Sequence, residues 1–158
     1  PMAGKERGGY ANCSADLFAG ASLILTPEGA DSDAVATVRR LALDIGFAMC
    51  KETDIKTHDR MIAYTSQLAH VLVCSYVRDP LALGHRGFSA GSFRDVTRVA
   101  TIDENMWSEL FLENKAALSD EIGVLISNLA QFKTAIDSSD REMLRSLMKE
   151  SRLIKDKI

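Results

Sequence analysis

The hydrophobic and polar positions of this 158-residue chain change their period once. Before Thr53 the apolar residues come in short runs bounded by glycine and proline: Ala21-Ser22-Leu23-Ile24-Leu25, stopped by Thr26-Pro27, and then Phe47 to Cys50. Runs of that kind predict buried strands. Between them Val35, Val38, Leu41, Ala42 and Ile45 fall on one face of a helix, with Ser32 as the expected cap and Gly46 as the stop. Strand, helix and strand within about 30 residues form a βαβ-like unit. Two strands do not make an independent sheet core, so the unit is expected to belong to a larger sheet.

After Thr53 the period is helical. One helix is predicted from about Asp54 to Val77, and its second half, Leu68 to Val77, is apolar nearly all round. That predicts burial on more than one side. Pro80 stops it. A loop from Leu81 to Gly91 carries three glycines, and Ser92 with Asp95 predicts a capping-box-like start to a short helix ending at Ala100. A long helix is predicted from about Asp103. Its apolar positions Phe111, Leu118, Ile122, Leu125, Leu129, Phe132 and Ile136 keep a heptad-like spacing suited to a partner helix. Ser139 with Glu142 predicts the capping box of a last helix.

Composition adds exclusions. Nineteen Lys and Arg against 22 Asp and Glu leave no basic excess or cluster, so nucleic acid is not an expected partner. The longest apolar stretch, Leu68 to Cys74, is far short of the ~20 residues of a membrane span. Cys13, Cys50 and Cys74 have neither CxxC nor close metal-ligand spacing, so they read as reduced thiols of a cytoplasmic protein, and no metal is expected. The chain starts at Pro1 without an initiator Met, and it reads as a piece of something longer.

The candidate chemistry is sparse. His58 and His70 lie on one predicted helix, separated by about 18 Å along its axis, too far to share an ion. Ser66 and His70, at i and i+4, face the same way. They form either a core polar pair or one side of a polar ligand pocket. His85 is expected to be solvated. Arg94 and Arg98, just after the loop glycines, are either solvated or a receptor for carboxylate or phosphate. Trp107, the single tryptophan, is expected in a packing role. The residues alone support a helical interaction domain with a possible anion pocket.

Several segments, in order, resemble the prephenate and arogenate dehydrogenase family. These are Pro1-Met2-Ala3-Gly4-Lys5-Glu6-Arg7-Gly8-Gly9, Asp16-Leu17-Phe18-Ala19-Gly20, Leu23-Ile24-Leu25-Thr26-Pro27 and His58-Asp59. Ser66-Gln67-Leu68-Ala69-His70, Ala90-Gly91-Ser92-Phe93-Arg94-Asp95-Val96-Thr97-Arg98, Asn105-Met106-Trp107 and Phe111-Leu112-Glu113-Asn114-Lys115 complete the series. The resemblance covers most of the chain. It implies a mainly α fold: a helical dimerisation domain of the 6-phosphogluconate dehydrogenase C-terminal-like type at 53–158, preceded by a short βαβ remnant of a Rossmann domain at 1–52. The implied parent enzyme oxidatively decarboxylates prephenate to 4-hydroxyphenylpyruvate with NAD or NADP in tyrosine biosynthesis. Arogenate is the alternative substrate, and another acid-specific dehydrogenase of the superfamily or a non-catalytic helical dimerisation module the alternative reading.

The family's catalytic histidine would precede Pro1, so the chain by itself is expected to be inactive. The resemblance implies that Arg98 binds the ring carboxylate, while His70, Ser66 and the Gly91 backbone contact polar groups of the substrate or of tyrosine as inhibitor. It implies that Trp107 enters from a homodimer partner, and that Glu6 and His58 shape the pocket. Alanine stands at Ala69 where the family often has proline, which keeps the helix continuous before His70.

Overall fold

The computed structural model describes residues 1–4 and 8–158. Two parallel strands, β1 (Ser22–Leu25) and β2 (Met49–Glu52), pair from Ser22 opposite Met49 to Leu25 opposite Glu52. Ala48 N–H to Ala21 O at 2.9 Å and Thr53 N–H to Leu25 O at 3.0 Å prolong the ladder. The Ser22 carbonyl accepts from Met2 N–H at 2.7 Å. Adjacent carbonyls of a strand point to opposite sides, so the Pro1–Gly4 segment lies along the β1 edge away from β2.

Helix α1 (Ser32–Asp44) connects the strands. Its cap is Asp31, one residue before the expected Ser32: the Asp31 carboxylate accepts from Asp33 N–H at 2.7 Å and Ala34 N–H at 3.3 Å. Both residue types cap well, and a carboxylate also complements the positive end of the helix. Gly46 is the stop, as expected. Its φ of 104° permits the paired closing bonds Phe47 N–H to Ala42 O and Gly46 N–H to Leu43 O, both 3.1 Å. Phe47, nearly buried, then stacks on Phe18 with centroids 4.4 Å apart.

The expected 54–77 helix is present with a wide turn inside it. Asp54 caps α2 (Ile55–Ile62), the π-helical turn Ala63–Gln67 follows, and α3 (Leu68–Val77) continues the path. Leu68 N–H reaches back five residues to Ala63 O. In α3, Leu68 and Val73 are buried, but Leu72 and Tyr76 are exposed, so burial on several sides is not met within one copy of the chain. The expected loop contains a 3-10 turn, Pro80–Gly84, with Asp79 accepting from Leu81 N–H.

Helix α4 (Gly91–Thr97) begins one residue before Ser92, capped by the Ala90 backbone without a side-chain bond. Ser92 therefore lies inside the helix, and the expected box with Asp95 does not form. A 3-10 turn, Arg98–Ala100, follows. The predicted 103–137 helix is divided at Asn114 (φ −108°, ψ 29°) into α5 (Glu104–Glu113), capped by Asp103, and α6 (Lys115–Asp137). Asp140, not Ser139, caps α7 (Arg141–Lys155) by accepting from Met143 N–H at 2.9 Å. Ser139 instead closes α6 in the left-handed region, φ 55°, and so cannot take the extended backbone of an N-cap.

Contacts divide the chain into two compact units, Pro1–Leu118 and Ser119–Ile158. Among the described residues no helix is long and apolar enough to cross a membrane.

Candidate functional site

A cavity of about 570 Å³ lies in the first unit, between the Pro1–Gly4 segment and the helices. Ile62, Ser66 and His70 line it from α2, the π turn and α3; Val99 and Thr101 line it from the turn after α4 and the residues that follow. Asp103, Met106 and Trp107 close it at the start of α5.

His70 is held from two sides. Its Nδ1 lies 3.1 Å from the Val99 carbonyl oxygen. A carbonyl only accepts, so Nδ1 carries the proton that it donates there, and in the neutral ring Nε2 keeps the lone pair for a ligand. The ring also packs on Trp107, centroids 3.8 Å apart and 48° between planes, and Trp107 in turn meets Phe111 at 5.5 Å. Trp107 was expected to arrive from a partner subunit. It lies against His70 of its own chain, because the turn after α4 carries the backbone from Val99, beside α3, directly into α5. Asp103 accepts from Asn105 N–H at 3.0 Å and Met106 N–H at 3.1 Å, which orients the first turn of α5 and with it Trp107.

The structure therefore brings together Ser66, His70 and Trp107. It does not place every expected residue with them. Arg98 is exposed and is not among the residues lining this cavity, although Val99 beside it is. Gly91 lines a second, more open cavity of about 650 Å³ with Arg94, Ser89 and His85. His85 is not simply solvated: its Nδ1 meets Ser89 Oγ at 2.7 Å and its ring stacks on Phe93 at 4.7 Å. His58 pairs with neighbouring Asp59, Nδ1 to Oδ1 2.9 Å, and does not line the first cavity. Glu6 lies outside the described residues.

Val99 is not singled out by the sequence, and Asp103 and Met106 stand out there only as a helix start and as part of the resemblance. Val99 contributes a backbone carbonyl, which has no sequence signature, whereas Asp103 could have been found as an N-cap. Among the described residues no group of three or more His, Cys, Asp or Glu side chains could hold a metal ion.

The comparisons with known proteins agree on one family. Its model, described as "Prephenate dehydrogenase, dimerization domain", matches residues 54–150, more than half of the chain. The chain belongs to the prephenate dehydrogenase dimerization-domain family. It is 33% identical over 162 residues to a cyclohexadienyl dehydrogenase of Zymomonas mobilis, covering 96% of this chain and 54% of that relative. A crystal structure of prephenate dehydrogenase from Aquifex aeolicus superposes with a TM-score of 0.88 at 26% identity, covering 100% of this chain and 58% of that one. A structure from A. aeolicus in complex with hydroxyphenyl propionate and NAD+ gives 0.83 at 27% identity, covering 99% and 57%.

The chain spans about half the length of the curated relatives it matches. Among the described residues, the strand-to-helix turn that leads into α1 does not fit a dinucleotide's pyrophosphate. The turn from β1 into α1 has no G-x-G-x-x-G pattern, and the helix start carries Asp31 and Asp33, whose carboxylates repel phosphate.

Proposed function

We propose that this chain is the substrate-side, dimer-forming part of an NAD(P)-dependent dehydrogenase that oxidatively decarboxylates prephenate to 4-hydroxyphenylpyruvate in tyrosine biosynthesis. Residues 1–52 are then the end of a Rossmann layer and 53–158 the helical domain. The observation that carries the reading is the cavity. His70, oriented by the Val99 carbonyl, stands beside Ser66 and against the Trp107 ring, in a chain whose 54–150 segment matches the dimerization domain. An aromatic wall with a few fixed polar groups suits a ring-bearing carboxylic acid.

In this reading Ser66 and His70 contact the polar groups of the ring substrate, and Arg98, next to Val99, supplies the cation for a carboxylate. The Gly91 backbone, His58 and Glu6 shape the approach to the site. Tyrosine, with a similar ring and carboxylate, competes there. The enzyme is a cytoplasmic homodimer, in which free Cys13, Cys50 and Cys74 stay reduced. A second reading, arogenate as substrate, is favoured by Asp103: the residue lines the cavity, and a carboxylate suits an amino group that prephenate lacks.

The deciding experiment assays a protein in which this chain is joined to its nucleotide-binding half, with prephenate and arogenate, each with NAD+ and NADP+. Reduced cofactor with prephenate is the expected result; turnover of arogenate alone selects the second reading. Failure with both removes this reading and leaves a dehydrogenase of the superfamily acting on another acid, or a non-catalytic dimerisation module. In the active enzyme Arg98→Ala is expected to raise KM for the ring substrate about tenfold, since a hydrogen bond to a charged group contributes roughly 1.5–3 kcal/mol.

A further inference from the structure

Three side-chain hydrogen bonds join the two walls of the cavity from behind. Asn114, at the break between α5 and α6, donates through Nδ2 to the Asp59 carbonyl at 2.8 Å and to Gln67 Oε1 at 2.9 Å. Gln67, the last residue of the π turn and only 5% exposed, donates through Nε2 to the Leu110 carbonyl at 2.9 Å. The partners are 43 to 55 residues apart in sequence, so no local turn would bring them together.

The chain of bonds has one direction. Asn114 spends both amide protons, Gln67 accepts one of them and donates its own onward, and both ends finish on backbone carbonyls. Gln67 is buried and Asn114 half-buried, and turning either amide over would break the bonds it makes here. One end of the clamp is the π turn, with Ser66 next to Gln67 and His70 three residues later. The other end is the last turn of α5, with Trp107 three residues before Leu110. π turns inside α-helices often sit at functional sites, since one extra residue in a turn re-aims the side chains around it.

We infer that Gln67 and Asn114 are positioning residues: their hydrogen-bond clamp fixes the π turn against α5 and so sets how His70 and Ser66 face Trp107 across the cavity. What the cavity holds rests on the function proposed above; the clamp does not.

The single tryptophan makes the geometry readable without catalysis. Asn114→Asp keeps the shape of the side chain and removes both donors. Gln67→Met keeps most of the volume and removes donor and acceptor, which guards against failure of the first variant to fold. Phe47→Leu, in the sheet layer, serves as a control of comparable thermal destabilisation that does not touch the clamp. Below the melting range of all the proteins, both clamp variants are expected to show a red-shifted Trp107 emission and increased quenching by acrylamide, and the control neither. Emission unchanged in the clamp variants, or shifted equally in the control, overturns the inference.

In the active dehydrogenase the clamp variants are further expected to raise KM for the ring substrate roughly tenfold, with KM for the nicotinamide cofactor unchanged. If the parent protein turns over neither prephenate nor arogenate, the proposed function fails while the fluorescence still decides the clamp.

Discussion

Ser139 holds a backbone conformation that its type disfavours. At φ 55° it closes α6 through Ser139 N–H to Ile136 O at 3.0 Å and Asp140 N–H to Ala135 O at 2.8 Å, the bond pair usually built around glycine. A left-handed L-residue costs roughly 1–2 kcal/mol, part of which glycine returns as unfolded-state entropy. Ser139→Gly is therefore expected to stabilise the chain by about 0.5–1 kcal/mol, as a rise in denaturation midpoint with unchanged m-value. At this scale the i, i+4 spacing of Ser66 and His70 was legible, and the structure puts both on one cavity. The Val99 carbonyl that orients His70 was not legible, because every residue has one. Asn114 was visible only as part of a resemblance. Its role depends on Asp59 and Gln67 arriving beside it.

Helix starts and stops are local chemistry, and they show where local reading succeeds. Gly46 was identified as a stop from its type alone, whereas Asp31 and Asp140 cap one position away from the expected serine. Adjacent residues of similar capping ability leave the choice to backbone angles. Asp54, which caps α2, has a titration consequence. Thr57 holds its carboxylate below the ordinary value of 3.8, first through its side chain and then through its backbone N–H, bonded at 2.8 Å. A depressed folded-state pKa means that the cap stabilises the fold at neutral pH and loses that contribution as pH falls through the lowered value. Asp54→Ala is thus expected to lower the Tm at pH 7, and the difference from the parent chain should close as pH falls below 3.8, followed by circular dichroism melts. A gap that stays constant down to that range would show that the charge is not what stabilises the start of α2.

At the scale of the molecule, much apolar surface is left uncovered. On α6 Leu129 is 53% and Ile136 61% exposed, both members of the heptad-like seam, and on α3 Leu72 and Tyr76 are open as well. A dimerization-domain family member with such faces is expected to self-associate through the segments 54–77 and 103–137. Light scattering at micromolar concentration should give a dimer. Leu129→Glu, which places a charge on the seam at a position exposed in the single chain, should shift the equilibrium toward monomer without loss of helix content. A parent chain that is monomeric at that concentration would count against the proposed assembly.

The local pattern of the chain carries the element types, and most of their ends to within two residues, because period, capping and glycine placement act over a few residues. The sequence also carries the family, since several motifs in order constrain one another. The π turn, the break at Asn114 and the placement of Trp107 on His70 of the same chain were decided only in the tertiary structure. Each depends on hydrogen bonds or ring contacts between residues about 30 to 55 positions apart, whose free energy exists only once the helices have packed. Gly91 lines the second cavity rather than the one that His70 lines.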